Sequence, residues 1–306
     1  MRVFVTGASG WIGSAVVPDL IGADHQVVGL ARSDASAAAL TAAGADVVRG
    51  TLDDLDTLRS AAAAADGVIH LAFKHDIAFS GDPQGATGAD RRAVEAMGEA
   101  LAGSDRPFVI ASGTPHVPGR VATERDGLDP DPAAEGLQAR LATAAWVLSL
   151  ASRGVRSSVV GLPRTNHGEG DTGFIAMLVQ IARDKGVSGY IGDGASRWPA
   201  VHRLDSARLF RLALEKAPAG SMLHAVADEG VPIRDIAEVI GRHLDLPVVS
   251  VSPDDAAGHF SWLAAILAPD QPASSALTRE LLGWQPTQPG LIEDLDKGHY
   301  FRSPSA

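Results

Sequence analysis

Cysteine is absent from the 306-residue sequence, and tyrosine occurs only twice, at Tyr190 and Tyr300. The missing cysteine excludes disulfides, thiolate metal ligands and a cysteine nucleophile, and it suits a reducing compartment. Basic residues are also few: 26 Lys and Arg stand against 37 Asp and Glu, which gives a formal net charge of −11. A chain this acidic, without a basic block, is not expected to bind nucleic acid or an anionic membrane.

Long apolar runs are lacking as well. No stretch of about 18 consecutive apolar residues occurs, so no membrane span is predicted. The N-terminus lacks the basic segment, apolar stretch and cleavage site of a signal peptide, so we expect a soluble, cytoplasmic protein. Hydrophobic residues make up 45% of the sequence. This is enough for a large core in one large domain or two closely joined domains.

Short β-branched runs alternate with alanine-rich helical stretches through the first half of the chain. This alternation predicts an α/β fold, a doubly wound parallel sheet of the Rossmann type with helices on both faces. The predicted strands are Arg2–Thr6, Gln26–Leu30, Asp46–Arg49, Gly67–Leu71, Pro107–Ser112 and Arg156–Leu162. The predicted helices between them are Trp11–Ile21, Ser36–Ala43, Leu55–Ala64, Ala89–Ala102 and Ala133–Arg153.

The regular alternation ends after Pro163. We therefore predict a dinucleotide-binding domain over residues 1–163 and a smaller, helix-rich substrate lobe over residues 164–306, with some crossing of the chain between them. The segment Arg164–Thr172 is predicted to be a loop. The predicted strands of the lobe are Leu223–Val226 and Val248–Val251, and its predicted helices are Phe174–Lys185, Asp205–Lys216, Ile233–Leu244, Asp254–Leu267, Ser274–Leu282 and Leu291–Asp296.

A glycine-rich turn joins the first predicted strand to the first helix, with the sequence Thr6-Gly7-Ala8-Ser9-Gly10-Trp11-Ile12-Gly13. Gly7 permits the tight turn, Gly10 lets the backbone approach a pyrophosphate, and Gly13 allows the helix to pack closely on the strand. The free N–H groups of the helix N-terminus would bind the phosphates. An ordinary glycine-rich turn is the alternative, but the flanking strand and helix favour a dinucleotide site.

The end of the second strand indicates which dinucleotide binds. An NAD site usually carries Asp or Glu there to hold the ribose hydroxyls, whereas this sequence has Arg32 followed by Ser33. Arg32 can pair with a 2′-phosphate, Ser33 can donate to it, and Asp34 is expected to fall beyond the ribose. We therefore expect NADP(H) as the cofactor, with NAD less favoured. A solvated arginine without a ligand is the alternative.

Four segments together resemble the short-chain dehydrogenase/reductase superfamily, in its extended or atypical branch of NAD-dependent epimerase/dehydratase-like proteins. They are the glycine turn, His70-Leu71-Ala72, Ser112-Gly113-Thr114 and Leu282-Gly283-Trp284-Gln285-Pro286. The resemblance covers nearly the whole chain. It implies that Leu52 contacts the adenine and that Ala72, Phe73 and Lys74 lie along the nicotinamide side, although Thr51 stands where many members have Asp. Homodimers are common in the family, which makes a homodimer the assembly to test for here.

The family's catalytic tyrosine and lysine are both replaced. Counted back from the predicted sixth strand, the tyrosine position falls on Gly136 and the lysine position on Arg140. Tyr190 and Tyr300 lie too far downstream to restore the motif. Arg140 can bind the nicotinamide ribose and stabilise a developing alkoxide, but it stays charged and is a poor acid. A surface arginine is the alternative for that position.

Hydroxyl groups and histidines are the remaining candidates for the proton chemistry. The resemblance places Thr114 where the family has the Ser or Thr that polarises the carbonyl, and Ser112 is the next choice. His116 follows Ser112-Gly113-Thr114, and His167 follows the sixth strand, so both are expected near the carboxyl edge of the sheet, where ligands bind. His202 opens a helix of the second lobe, and the resemblance implies that its segment reaches the substrate cleft. Each of the three histidines could instead have a structural role. No histidine pair has zinc-ligand spacing supported by carboxylates, so no metal is predicted.

These features predict an NADP(H)-dependent oxidoreductase that transfers a hydride between nicotinamide and a small, moderately apolar ketone, aldehyde or imine. Two alternatives stay open: a non-catalytic NADP(H)-binding sensor, and an NAD-retaining epimerase or dehydratase. The apolar candidates for the substrate pocket are Phe73, Phe174, Met177, Trp198, Phe260 and Trp262. The predicted cofactor-binding residues are Thr6, Gly7, Ser9, Gly10, Trp11, Ile12, Gly13, Arg32, Ser33, Thr51, Leu52, Leu71, Ala72, Phe73, Lys74, Arg140, Leu162 and Pro163.

Overall fold

The computed structural model describes residues 1–126, 136 and 139–302. Short 3-10 helices cover Leu150–Arg153, Ser261–Leu263 and His299–Phe301. The other elements follow in chain order: β1 Arg2–Thr6, α1 Gly13–Gly22, β2 Gln26–Ala31, α2 Asp34–Ala42, β3 Asp46–Arg49, α3 Leu55–Ala63, β4 Gly67–His70, α4 His75–Phe79, α5 Pro83–Leu101, β5 Pro107–Gly113, α6 Ala139–Ser149, β6 Arg156–Leu162, β7 Thr165–His167, α7 Phe174–Lys185, β8 Ser188–Ile191, β9 Arg197–His202, α8 Arg203–Lys216, β10 Ser221–His224, β11 Asp228–Pro232, α9 Ile233–Leu244, β12 Val248–Val251, α10 Ala256–Phe260, α11 Ala264–Leu267, α12 Ala276–Leu282 and α13 Leu291–Asp296.

Seven parallel strands form the central sheet, in the order β10-β6-β5-β4-β1-β2-β3. The central strands carry buried side chains on both faces, as Val3, Phe4 and Val5 of β1 show. Such strands need a layer of helices on each side. One apolar cluster packs α1 and α8 against the sheet, and a second packs α3, α5 and α6 against its other face. The predicted doubly wound parallel sheet is confirmed.

The chain returns to the central sheet after it has entered the second lobe. Helix α8 packs against α1, and β10 pairs with β6 to become the outermost strand on that side. The second lobe contains a three-stranded sheet, β11-β9-β7, and a two-stranded sheet of β12 and β8, packed with α7 and α9 around a core of their own. Among the described residues, no helix is both long enough and apolar enough to cross a membrane.

The structure corrects three of the longer predicted segments. The predicted loop Arg164–Thr172 contains β7, whose polar residues pair with β9 and show no local strand pattern. The predicted helix Asp254–Leu267 is broken into α10, a 3-10 turn and α11, because Ser261 has a φ of 54°, which a right-handed helix cannot contain. The predicted helix Ala89–Ala102 begins earlier, at Pro83, with Asp82 as its N-cap.

Other differences concern short elements and helix ends. Helix α4 and strands β8, β9 and β11 have no counterpart in the sequence prediction, because each has six residues or fewer and depends on tertiary packing. The predicted strand Leu223–Val226 is displaced to β10, which ends at His224. The start of the predicted helix Ala133–Arg153 lies outside the described residues, and its later part is α6 and the 3-10 helix that follows.

Candidate active site

A cavity of about 880 Å³ lies at the carboxyl ends of the central strands, where ligands bind in open parallel sheets. All of the predicted cofactor residues except Thr6 and Pro163 line it. Sequence reasoning missed ten of the lining residues, which are Leu30, Ala35, Ser36, Ala39, Gly50, Asp53, His75, Asp76, Ile77 and Ala111. Four of them, Asp53 and His75 to Ile77, continue runs of predicted residues, so a wider window after β3 and β4 would have found these four.

The glycine turn forms one wall of this cavity. Gly7 has a φ of +65°, and a Cβ there would lie 2.6 Å from the backbone nitrogen of Ala72. A Cβ on Gly13 would lie 2.1 Å from the Gly7 carbonyl oxygen, so both positions require glycine. Within the described part of the chain, no hydrogen bond uses the backbone N–H of Trp11 or Ile12. These donors at the start of α1 fit the pyrophosphate of a dinucleotide.

Two arginines lie near Ser33 where β2 and β3 end: Arg32 lines the cavity, whereas Arg49 is not among the described lining residues. The Arg32 guanidinium lies 3.5 Å from the Asp76 carboxylate. Arg49 donates to the carbonyl oxygen of Ser33 and pairs with Asp34. Asp34 is not among the described residues that line the cavity, so the acid that an NAD site would place after β2 is missing. Arg49 follows Ser33 by 16 residues, and only the pairing of β2 with β3 brings it there.

A buried chain of polar groups leads from the glycine turn to Arg140. The Thr6 hydroxyl lies 2.7 Å from Nδ1 of His70, and Nε2 of His70 lies 3.1 Å from one oxygen of Asp90. The other Asp90 oxygen lies 3.8 Å from Nε of Arg140. Asp90 is only 3% exposed, and its carboxylate faces both His70 and Arg140. Nothing in the local sequence of α5 marked Asp90, because its partners come from β4 and α6.

The Arg140 guanidinium lies on the cavity wall. It donates to the carbonyl oxygen of Ala111 at 3.2 Å and lies 4.2 Å from the centre of the Phe73 ring. Burial lowers the pKa of Arg140, while Asp90 acts to raise it, and an arginine remains charged at any physiological pH. Burial, and secondly the positive charge of Arg140, lower the pKa of His75 below its usual 6.5. A neutral imidazole therefore lines the cavity beside a fixed cation.

The structure separates the two hydroxyl candidates. Ser112 is buried at the end of β5 and lines the cavity, and its hydroxyl has no hydrogen-bond partner among the described residues. Thr114 is not part of the lining, and its backbone N–H donates to the Leu162 carbonyl at 3.0 Å. The geometry thus favours Ser112. Gly136 also lies outside the lining, with a φ of +57°, and a Cβ there would be 3.7 Å from the side chain of Pro83.

The three predicted histidines are not among the residues that line the cavity. His116 is exposed. His167 is fully buried, and its Nδ1 lies 2.9 Å from the Asp294 carboxylate. Nδ1 of His202 accepts from the N–H of Leu204 at 3.2 Å and caps α8, and burial lowers the pKa of His202. His167 and His202 are thus engaged in hydrogen bonds inside the second lobe.

The apolar candidates for the substrate pocket also lie in different parts of the structure. Phe73 lines the cavity, whereas Trp198 and Phe260 are buried in the core of the second lobe. Phe174 is half-buried at the start of α7. Met177 and Trp262 are exposed.

Comparison with known proteins accounts for this combination of fold and cavity. The model of the NAD dependent epimerase/dehydratase family matches residues 3–225. The chain belongs to this family. It is an NAD(P)-dependent oxidoreductase of that family, and the resemblance noted in the sequence is confirmed.

The relatives differ widely in their sequence identity to this chain. An uncharacterized protein of Schizosaccharomyces pombe is 49% identical over 98% of this chain and 100% of its own length. The 4-hydroxy-2-methyl-3-oxo-4-farnesyl-3,4-dihydroquinoline-1-oxide ketoreductase of Stigmatella aurantiaca is 25% identical over 89% of this chain and 84% of its own. The solved structure of DesIV, a dTDP-glucose 4,6-dehydratase of Streptomyces venezuelae with NAD and TYD bound, matches with a TM-score of 0.76. It is 21% identical over 98% of this chain and 96% of its own, and it shows the shared fold.

Proposed function

We propose that this protein is an NADP(H)-dependent oxidoreductase that acts on a small, moderately apolar ketone, aldehyde or imine. The observation that carries the choice of NADP(H) is that Arg32 and Ser33 line the cavity after β2, whereas Asp34 does not. A guanidinium and a hydroxyl match the charge and the acceptor oxygens of a 2′-phosphate. The distant ketoreductase relative supports a carbonyl compound as the substrate.

Each residue at the inner end of the cavity then has a role. Bound NADPH would supply the hydride that reduces the carbonyl carbon. Ser112 would donate a hydrogen bond to the carbonyl oxygen, and the Arg140 guanidinium would stabilise the negative charge that develops there. The proton would reach that oxygen from water, because the neutral imidazole of His75, which lines the cavity, is a poor acid.

A titration of NADPH and NADH binding tests the cofactor choice. NADPH should bind more tightly than NADH, and Arg32→Ala should weaken NADPH binding about tenfold while leaving NADH binding unchanged. Arg59→Ala is the matched control, because Arg59 is an exposed arginine that pairs with Asp56 on α3. Tighter binding of NADH than of NADPH, or an unchanged affinity of Arg32→Ala for NADPH, would refute the choice of NADP(H).

Gly136 favours a second candidate function, an NADP(H)-binding sensor without catalysis. Glycine has no group that could transfer a proton, and the resemblance places Gly136 at the position of the family's tyrosine. A panel of ketones and aldehydes, followed by NADPH fluorescence, separates the two functions. Tight NADPH binding without oxidation would support the sensor. A steep gain of turnover in Gly136→Tyr or Gly136→His would show that water is a poor proton source in an active reductase.

A further inference from the structure

Six aromatic rings form a continuous series that begins at the cavity and ends in the second lobe. The centres of neighbouring rings are 4.9 to 6.3 Å apart, within the range of direct aromatic contact. We call this series the aromatic path. In order, its rings belong to Phe73, His75, Phe79, Trp262, Phe174 and Trp198.

The two ends of the aromatic path are fixed by different surroundings. At the inner end, Phe73 lies under the Arg140 guanidinium, and both Phe73 and His75 line the cavity. At the outer end, Trp198 is fully buried in the core of the second lobe. The path therefore connects the proposed site of reaction to the core of the second lobe.

The middle of the aromatic path is exposed. Phe79 is 55% exposed and Trp262 is 49% exposed, although their ring centres are only 5.7 Å apart. Met177, one turn after Phe174 on α7, is also exposed. Single exposed apolar residues are common, but a contiguous group beside a ligand cavity is typical of a binding surface.

We infer that the accessible rings of the aromatic path, from Phe73 to Trp262, form the substrate-binding wall, and that the substrates carry a planar aromatic ring attached to the reacting carbonyl. This inference rests on the proposed function. Aromatic faces and edges attract one another beyond the area they bury, so a row of rings distinguishes a flat aromatic substrate from a saturated one of similar size. The positive charge of Arg140 over the Phe73 ring would repel a cationic substrate, so a neutral ring suits the path better than a cation does.

The reaction on such a substrate is fully balanced by the cofactor and water. The π bond of the aldehyde C=O breaks, its carbon gains the hydride, and its oxygen gains a proton to give an alcohol. NADPH is oxidised to NADP⁺ in the same step. The carbonyl would lie near Ser112 and Arg140, with the ring directed along His75 and Phe79.

The test compares benzaldehyde with cyclohexanecarbaldehyde, which has the same carbon skeleton without the aromatic ring. The wild-type KM for benzaldehyde should be about 2- to 12-fold lower than that for the saturated aldehyde. Phe79→Leu and Trp262→Leu should each bring this KM ratio toward one with little change in kcat. Leu281→Ala is the control, because Leu281 on α12 is also 49% exposed but lies outside the path.

Two outcomes would overturn the inference. One is a wild-type KM ratio near one. The other is an equal loss of activity toward both aldehydes in the variants, accompanied by a lower Tm, which would mean that the path only packs the lobes together. Failure of the proposed function looks different: neither aldehyde would be turned over although NADPH binds tightly.

In that case, a binding measurement still tests the aromatic path. The NADP⁺-loaded protein is titrated with benzaldehyde while tryptophan fluorescence is followed. Trp11 also lines the cavity and can contribute to the signal. Saturable quenching that is reduced in Trp262→Leu, and absent with cyclohexanecarbaldehyde, supports an aromatic binding wall. Quenching that does not saturate, or that keeps its full amplitude in Trp262→Leu, refutes it.

Discussion

The buried ion pair between Asp90 and Arg140 should hold the Arg140 guanidinium on the cavity wall. Asp90→Asn keeps the size of the side chain and an oxygen that can face His70, but it removes the charge opposite Arg140. Among the described residues, Arg140 would keep only the neutral carbonyl of Ala111 and the ring of Phe73. We expect the free energy of unfolding to fall by about 3 kcal/mol, because a largely buried charge is left without its counter-ion.

The distance between the two charges sets the size of their direct interaction. Nε of Arg140 and Oδ2 of Asp90 are 3.8 Å apart. At an effective dielectric constant of about 20, unit charges at this distance attract each other by about 4 kcal/mol. The Arg140 side chain keeps 24% of its surface exposed, and water weakens the attraction there. We therefore expect a coupling free energy of about 2 kcal/mol.

A double-mutant cycle measures this coupling. Urea unfolding of Asp90→Asn, Arg140→Met and the double variant is compared with the wild type, so that the effect of each side chain alone cancels. Glu99 and Arg153 serve as the control pair, because they are closer, at 2.7 Å, but 51% and 43% exposed. That surface pair should couple far more weakly. A coupling at Asp90 and Arg140 no larger than the surface value would refute the reasoning that burial gives this pair its strength.

Three further predictions concern catalysis, pH dependence and backbone strain. Ser112→Ala should lower kcat about a hundredfold with an unchanged KM for NADPH, whereas Thr114→Ala should have little effect on either constant. An equal loss of kcat in the two variants, measured by steady-state kinetics, would contradict the roles given to the two hydroxyls. Burial depresses the pKa of His75 and His202 below the usual 6.5, so below that pH the unfolded state binds more protons than the native state. Tm should therefore fall as the pH falls from about 7.5 to 5.5. His202→Asn, which keeps an N-cap acceptor for α8, should make Tm depend less steeply on pH. An unchanged dependence of Tm on pH in this variant would contradict the contribution given to His202. Ser261→Gly should raise the free energy of unfolding by about 1 kcal/mol, because the φ of 54° is strained for serine; Ser261→Ala should give no gain in the same urea titration.

Much of the fold could be predicted because its signals are local. The central strands are short apolar runs buried on both faces, and the turn after β1 needs glycine at Gly7 and Gly13 for steric reasons. The same turn also indicates one wall of the cavity, because the turn residues and the start of α1 line it together. Short strands of the second lobe, such as β7 and β9, escaped prediction because their residues pair across the fold and form no hydrophobic period.

The residues missed at the candidate site have a common physical reason. Arg49 reaches Ser33 because Arg49 pairs with Ala31 across β2 and β3. Asp90 reaches His70 because α5 packs over the central sheet, and the two residues are 20 positions apart. Such neighbours are set by tertiary packing, and a single sequence carries no local pattern that marks them. The hydroxyl choice between Ser112 and Thr114 likewise depends on where β5 ends.

Transfer of deuterium from labelled NADPH to a carbonyl carbon tests most directly whether this protein is an NADPH-dependent reductase. The protein is incubated with NADPH carrying deuterium at both C4 positions and with benzaldehyde, and the alcohol is analysed by mass spectrometry. We predict benzyl alcohol with a single deuterium on the carbinol carbon, formed faster with NADPH than with NADH. Tight NADPH binding without any alcohol, or alcohol that carries no deuterium, would contradict the proposed function.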